Sequence, residues 1–413
     1  MKIVYTASIR VVGFALKFLA LFNKKLKLFV EGRKDVFFYL KEKIDANEQY
    51  IWFHTASLGE FEQGLPVMKE LRKKNKIIVT FFSPSGYEIR KNSKDVDVVV
   101  YLPLDTPENA RRFIEVIRPK TAIFVKYDFW YHYLSELKKN QIPTYLISGN
   151  FRENQIFFKS YGGMMRDCLR CFSHFFVQNE KSKLLLQSIG FENVMVSGDT
   201  RFDRVLEILD RDNSLDFIET FKNDSICVVF GSSWEEDEEI YLSYVNNSTG
   251  NIKFIIAPHN INPEKIHFFK QKISKKIVFF SERQGKNLSD FDVFIIDTIG
   301  ILTKVYSYSD IAYVGGGMGK NGLHNVLEPA VFGIPVVIGK NYEKFNEAKA
   351  LVGRGGVVSV TSEEEFKQIM DLLISIPEKQ EEMGKVNKDF IIESQGATQA
   401  FITFYENRKN KEK

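Results

Sequence analysis

From Gln49 onward, short apolar runs alternate with longer stretches of helical period. "YIWFHTA", "KIIVTFF", "VDVVVYL", "TAIFVKY", "PTYLIS", "HFFVQ" and "NVMVSG" follow one another through the first half of the chain. Each is of strand length and rich in Val, Ile and Phe without polar alternation, the pattern of strands buried on both faces of a parallel sheet. After "GDTRFDRVLEILDRDNSLDFIETFKND" the series restarts with "ICVVFGS", "IKFIIAP", "KIVFFS", "VFIID", "IAYVGGG", "PVVIG" and "GGVVSV". The chain therefore reads as α/β, with two tandem Rossmann-like, doubly wound domains facing a cleft. The expected divisions are 1–28, a membrane-anchoring helix with a basic flank; 29–204, the first Rossmann-like domain; 205–224, an acidic linker; 225–376, the second such domain; and 377–413, a terminal helix packing back toward the first.

The amino terminus breaks the alternation. "IVYTASIRVVGFALKFLALF", Ile3 to Phe22, holds no acid, is interrupted by Arg10 and Lys17, and runs into "NKKLK". A clean membrane-spanning helix needs about 20 apolar residues, so a tilted span or an interfacial helix on an anionic membrane surface is expected. Its basic flank would face the cytoplasm.

Charge and cysteine content narrow the partners. The 57 basic and 53 acidic residues leave a net charge of only +4, with Lys and Arg spread along the chain, which argues against a nucleic acid partner. Cys168, Cys171 and Cys227 are too few for a disulfide framework and fit a reducing compartment. The CxxC of "MMRDCLRCF" lacks a second pair at zinc spacing and reads as two helix cysteines.

Ligands of doubly wound domains bind beyond the carboxyl ends of the strands, and the chemistry-bearing residues concentrate there. In "YVGGGMGKNGLHNVLEPAVFGIPVVIG" a strand runs into glycines that include Gly316 and Gly317. A helix is expected to begin near His324 or Asn325. Glycines admit close backbone approach, and a helix start offers N–H groups to a phosphate; Glu328, one turn in, would reach a ribose hydroxyl. Ser232 and Ser233, His259, Thr298 with Gly300, and Asn346 follow other strands of this domain. Each alone reads as capping or turn chemistry before it reads as a site, and their clustering at one sheet edge favours a site. Lys126, Arg152 and Arg201 follow strands of the first domain, where a cation suits a carboxylate or phosphate.

"HTASLGEFEQGLPVMKELR", His54 to Arg72, sets Glu60 and Glu62 where a strand gives way to a helix. Two residues apart, they point to different helix faces. Glu60 reads either as a general base aimed by a turn at Gly59 or as one of the acids that a helix dipole draws into a first turn and keeps ionised. No Asp or His cluster suggests a metal.

These segments resemble the Kdo transferases, which transfer 3-deoxy-D-manno-octulosonic acid (Kdo) from CMP-Kdo to a lipid A precursor. "SLGE" matches the family's "SVGE" and places Glu60 on its catalytic glutamate. "NGLHNVLEPA" matches "GGHNxLEPA", which implies that His324, Asn325 and Glu328 serve the CMP side. "DTIGIL" matches "DTMGEL", and "SGDTRFD" matches "TGNLKxD". Departures accompany them: "KYDFWY" stands for "ETELWP", so Asp128 takes the place of the second acid and Lys126 that of the first. Ile301 replaces a glutamate, and "APHN" keeps His259 but loses an arginine. The resemblance implies a divergent branch with the GT-B fold and an inverting transfer to lipid IVA in lipopolysaccharide core assembly. CMP-Kdo would be the donor substrate, with no cofactor and no metal, and the enzyme would sit on the cytoplasmic face of the bacterial inner membrane. A same-fold transferase using a UDP-sugar and a non-catalytic membrane-attached nucleotide-binding protein are the alternative readings.

Overall fold

The computed structural model describes residues 2–45 and 47–411, with side chains as far as Arg408. Met1, at the start of the expected anchor, and Glu412 and Lys413, at the end of the expected terminal helix, lie outside the described residues, as does Ala46. The chain divides into two units. One runs to Arg204 and takes up the chain again from Gln395; the other is Val205–Ser394.

The first unit is built on β1 (Tyr50–Thr55), β2 (Lys76–Phe81), β3 (Val98–Tyr101), β4 (Thr121–Val125), β5 (Thr144–Gly149), β6 (His174–Val177) and β7 (Val194–Val196). These pair in parallel in the order β3-β2-β1-β4-β5-β6-β7. β1, β4 and β5 are buried along their whole length, because helices cover both sheet faces. On one face the helix Leu58–Arg72 lays Phe61, Leu65 and Met68 into the core, joined by Phe401 and Tyr405 of the terminal helix Ala397–Lys411. Strand order reverses between β1 and β4, whose carboxyl ends therefore open a crevice.

The second unit contains β8 (Ile226–Ser233), β9 (Ile252–Pro258), β10 (Ile277–Phe279), β11 (Val293–Ile295), β12 (Ile311–Val314), β13 (Val336–Gly339) and β14 (Val357–Val360). Its parallel sheet has the order β10-β11-β9-β8-β12-β13-β14, with the reversal between β8 and β12.

Two boundaries differ from the sequence reading. Residues 205–224, expected as a linker, belong to the second unit. They form the helix Asp216–Lys222, which buries Ile218 and Phe221 and sets the Phe221 ring 5.4 Å from Phe294. Of the acids that suggested a linker, Asp216 and Glu219 are exposed on that helix, and Glu207, Asp210, Asp212 and Asp224 lie outside it. The terminal segment is not one helix: Pro377–Ser394 stays with the second unit, where buried Asn387 donates to the carbonyls of Ile334 and Gly356, both at 2.8 Å. Gly396, at φ +106°, breaks the chain before Ala397–Lys411. Asp203 then accepts the N–H groups of Gly396 and Thr398 at that helix start.

The amino-terminal helix, Lys2–Leu19, presses one edge on the first unit. Tyr5 donates to Asp105 at 2.7 Å, Arg10 pairs with Glu108 at 2.6 Å, and Gly13 lies so close to Leu104 that a side chain there would clash. Along the other edge Val4, Val11, Phe14 and Phe18 are 61–78% exposed, spaced along one stripe of the helix. No helix among the described residues is long and apolar enough to cross a membrane.

Candidate active site

In the first unit, β1 ends at Thr55 and the chain enters the helix at Leu58, with Gly59 inside the first turn rather than forming the turn expected from sequence. Glu60, the third residue of the helix, folds back so that its Oε2 accepts the N–H of Ala56, one residue ahead of the donor that a capping box would use. That bond fixes the carboxylate at the carboxyl end of β1. Asp128 enters from the loop after the neighbouring β4. His54 Nε2 lies 2.8 Å from Asp128 Oδ2, and the Trp130 indole N–H donates to the same oxygen at 3.0 Å. Lys126, between β4 and Asp128, holds a left-handed φ of +66°, a strained conformation for a residue with a side chain.

These neighbours correct the expectation that the helix dipole alone governs Glu60. Burial, and then the Asp128 charge, push its carboxyl above the usual glutamate value, while the Ala56 bond, His54 and Lys126 draw it back only in part. Glu62 does face elsewhere, pairing with Arg90 and, at 3.1 Å, with Arg204.

The other cations of this unit are differently placed. Arg201 Nη2 and Nε contact Asp199 Oδ2 at 2.8 and 2.9 Å. Burial opposes ionisation of Asp199, but Arg201 and the Gln63 amide outweigh it and hold the carboxyl below its ordinary value. Arg201 is thus partly neutralised by its neighbour. Arg152 is exposed beyond β5, its own N–H bonded to Gln155 at 2.9 Å.

In the second unit the residues after β8, β9 and β12 converge. His259 stacks on Trp234 at 4.3 Å between ring centres and stands 4.7 Å from His324, whose Nε2 accepts the Trp234 indole N–H at 3.1 Å. Burial first, and the neighbouring His259 second, lower the His324 pKa to about 4. The ring is therefore neutral, with its proton on Nδ1. A cavity of about 340 Å³ opens beside this stack, lined by Ser233, Trp234, Asn260, Asn262, Lys265 and Asn321.

The glycine run behaves differently from its sequence reading. The Gly316 N–H donates to the buried carboxylate of Asp237 at 2.7 Å, as do the Met318 N–H at 3.3 Å, the Tyr313 hydroxyl at 2.9 Å and the Trp234 N–H at 2.9 Å. The glycines admit close packing of backbone on backbone. A Cβ on Gly316 would stand 2.1 Å from the Gly322 carbonyl oxygen, and one on Gly317 2.9 Å from the Gly339 nitrogen. The helix expected from His324 or Asn325 is a single turn, Leu327–Ala330. Asn325 accepts the Leu327 N–H at 3.2 Å and donates to Glu328 at 3.1 Å, which binds these residues to one another ahead of any ligand. Pro329 has no N–H to give the Asn325 carbonyl and its ring would clash there, so the helix cannot start as early as His324 or Asn325.

Ser233 is buried, accepting the Tyr241 hydroxyl at 3.0 Å and donating to Glu238 at 3.3 Å, while Ser232 bends the chain at φ +55°. Thr298 and Gly300, the latter at φ +97°, follow β11, which neighbours β9 on the side away from β8 and β12. Asn346 is exposed at the start of the helix Asn346–Arg354. Sequence reasoning passed over Asp237, Trp234, His54 and Trp130. For Asp237 the only cue was an acid in the first turn of "WEEDEE", indistinguishable there from a dipole-favoured charge. Among the described residues no three His, Cys, Asp or Glu side chains form a metal-binding group.

Two parallel seven-stranded α/β units, with polar residues gathered where each strand order reverses, give the GT-B fold. Residues 31–204 match the family described as 3-deoxy-D-manno-octulosonic-acid transferase (kdotransferase). It is 29% identical over 346 residues to the 3-deoxy-D-manno-octulosonic acid transferase of Aquifex aeolicus, covering 82% of this chain and 90% of the relative. Identity to the Haemophilus influenzae transferase of the same name is 27% over 372 residues, 86% of each chain. In fold it is similar to the UDP-GlcNAc 2-epimerase of Neisseria meningitidis bound to UDP-GlcNAc, with TM-score 0.65 at 17% identity over 87% of this chain and all of that one.

Replacing Asp237 with Ala strands the buried Gly316 N–H and Tyr313 hydroxyl. At roughly 1–3 kcal/mol for each unsatisfied group, denaturant titration of the full chain should show a loss of about 2–6 kcal/mol. An unchanged midpoint would refute the role of Asp237 as the anchor of the glycine run.

Proposed function

We propose that this chain is an inverting glycosyltransferase that transfers Kdo from CMP-Kdo to a lipid A precursor, lipid IVA, in lipopolysaccharide core biosynthesis, with Glu60 as general base. One observation carries the residue assignment: Glu60 is fixed at the reversal point of the first sheet, beside a second carboxylate that raises its proton affinity. The kinship with transferases of that name supports the donor and the reaction. Glu60 removes the proton from an acceptor hydroxyl, the oxygen attacks the anomeric carbon, and the bond from that carbon to the phosphate breaks with its electron pair leaving on CMP. A cytidylate is a good leaving group, so the scheme requires no cofactor and no metal.

The remaining sequence-derived residues take supporting roles. His324, neutral and paired with Trp234, and the stacked His259 form a wall for the cytidylate, with Asn325, Glu328, Ser232, Thr298, Gly300 and Asn346 along the same sheet edge. Gly316 and Gly317 shape this wall by close packing. Lys126, Arg152 and Arg201 supply positive charge for the Kdo carboxylate and the acceptor phosphates, with Asp128 adjusting Glu60. The exposed stripe Val4–Val11–Phe14–Phe18, followed by Lys24, Lys25 and Lys27, supports attachment of the first helix to an anionic cytoplasmic membrane surface, where the acceptor's acyl chains remain in the bilayer.

Three outcomes check this reading. Glu60→Gln should lower transfer of Kdo, followed by mass spectrometry of the lipid product, by about 10²- to 10⁴-fold while CMP binding persists; undiminished transfer would sink the assignment. A base works ionised, so activity rises with pH through its pKa, and Asp128 raises that pKa. Asp128→Asn should therefore move the acid limb of the kcat/KM profile to lower pH. Replacing Phe14 and Phe18 together with Ser should weaken co-sedimentation with phosphatidylglycerol-containing vesicles, by up to about 1.5–3 kcal/mol for each ring.

A further inference from the structure

His54 sits near the carboxyl end of β1 and is fully buried. An ordinary core histidine is satisfied by nearby backbone. This one instead links two neighbouring strands. Its Nδ1 lies 2.9 Å from Thr80 Oγ1 on β2, and its Nε2 lies 2.8 Å from Asp128 Oδ2 beyond β4. Thr80 Oγ1 also accepts the indole N–H of Trp52 at 2.8 Å. A carboxylate only accepts, so the contact with Asp128 places the imidazole proton on Nε2. Nδ1 then accepts the Thr80 hydroxyl proton, for which the Phe53 carbonyl at 3.3 Å is the more distant competitor. The Trp130 indole, 3.0 Å from both His54 Nε2 and Asp128 Oδ2, donates to the carboxylate, because Nε2 already carries hydrogen. Trp130 is itself held by Phe82, 4.6 Å away between ring centres.

The result is one directed chain of donors, from Trp52 to Thr80 to His54 to Asp128, meeting a second donor from Trp130. We propose that His54 is a positioning residue of the transferase: it acts through Asp128, fixing that carboxylate at the crevice where Glu60 receives the acceptor's proton. This rests on the assignment of Glu60 as base. Every link before Asp128 is buried, so the line has no slack, and Asp128 reaches the crevice only in the position that Nε2 allows. Burying a polar imidazole between strands is costly unless both nitrogens are satisfied, and here both are.

Two substitutions separate positioning from simple packing. Gln carries an amide nitrogen near the place of Nε2 and keeps the donor to Asp128; Asn carries its polar group near Nδ1 and keeps only the Thr80 side. His54→Gln should retain kcat within a few-fold, and His54→Asn should lose about 10- to 100-fold in kcat with KM little changed, the scale of a small misplacement at a catalytic centre. In the Asp128→Asn background, His54→Asn should cost nothing further, since the partner through which it acts is gone. Equal losses for Gln and Asn, or full additivity with Asp128→Asn, would overturn the proposal in favour of a packing role. Nitrogen-15 spectra of histidine-labelled full-length protein give a readout that does not depend on transfer: a protonated Nε2 and bare Nδ1 for His54 are expected, and the opposite tautomer would overturn the proposal. Wild-type protein that shows this tautomer but transfers no Kdo would instead refute the functional reading on which the proposal stands.

Discussion

A parallel sheet whose strand order reverses leaves two adjacent strands whose following loops depart in opposite directions, and their carboxyl ends cannot be covered by either crossover. That constraint governs both units here. In the first, the gap lies between β1 and β4 and receives Glu60 from one side and Lys126 with Asp128 from the other. In the second it lies between β8 and β12, where Ser232 bends the chain and the glycine run closes over Asp237. Each gap also holds one residue other than glycine at positive φ, Lys126 in the first and Ser232 in the second, as Arg118, Gln141, Ser148 and Asn223 do elsewhere. Strained residues persist where the surrounding structure overdetermines them. Here the hydrogen-bonded ends of buried strands supply that determination.

The two sites manage buried charge differently. Asp237 is surrounded by donors, three backbone N–H groups and a tyrosine hydroxyl, so its carboxylate organises the loop. Glu60 has a single backbone donor and a carboxylate neighbour, so its environment favours the proton. A satisfied carboxylate holds structure together, and a poorly satisfied one is available for chemistry. The contrast separates the two acids although both stand in first helical turns, where the dipole argument treats them alike.

The departures from the resembled motifs also acquire a physical setting. Lys126 stands where the resembled motif has an acid, and its charge lowers the proton affinity of Glu60 while Asp128 raises it, so the two act on Glu60 in opposing directions. The planar Arg201 guanidinium contacts Asp199 through two nitrogens, a geometry that an ammonium does not reproduce.

The succession of strands was legible from sequence because burial on both faces demands continuous apolar runs: each of "YIWFHTA", "TAIFVKY", "ICVVFGS" and "IAYVGGG" holds a strand at its centre. The placing of polar residues after strands was legible too, since that follows from topology. What tertiary structure alone decided was who meets whom. His54 and Asp128 are 74 positions apart and Asp237 and Gly316 are 79, and no local period links them. Sequence read the acids of 205–224 as a linker and the glycines as a phosphate cradle, because composition records how polar a segment is and not which of its groups already has a partner. Local pattern specifies the elements through burial; the partners of a buried polar group, and hence whether it supports the fold or does chemistry, are set only when strands distant in sequence lie side by side.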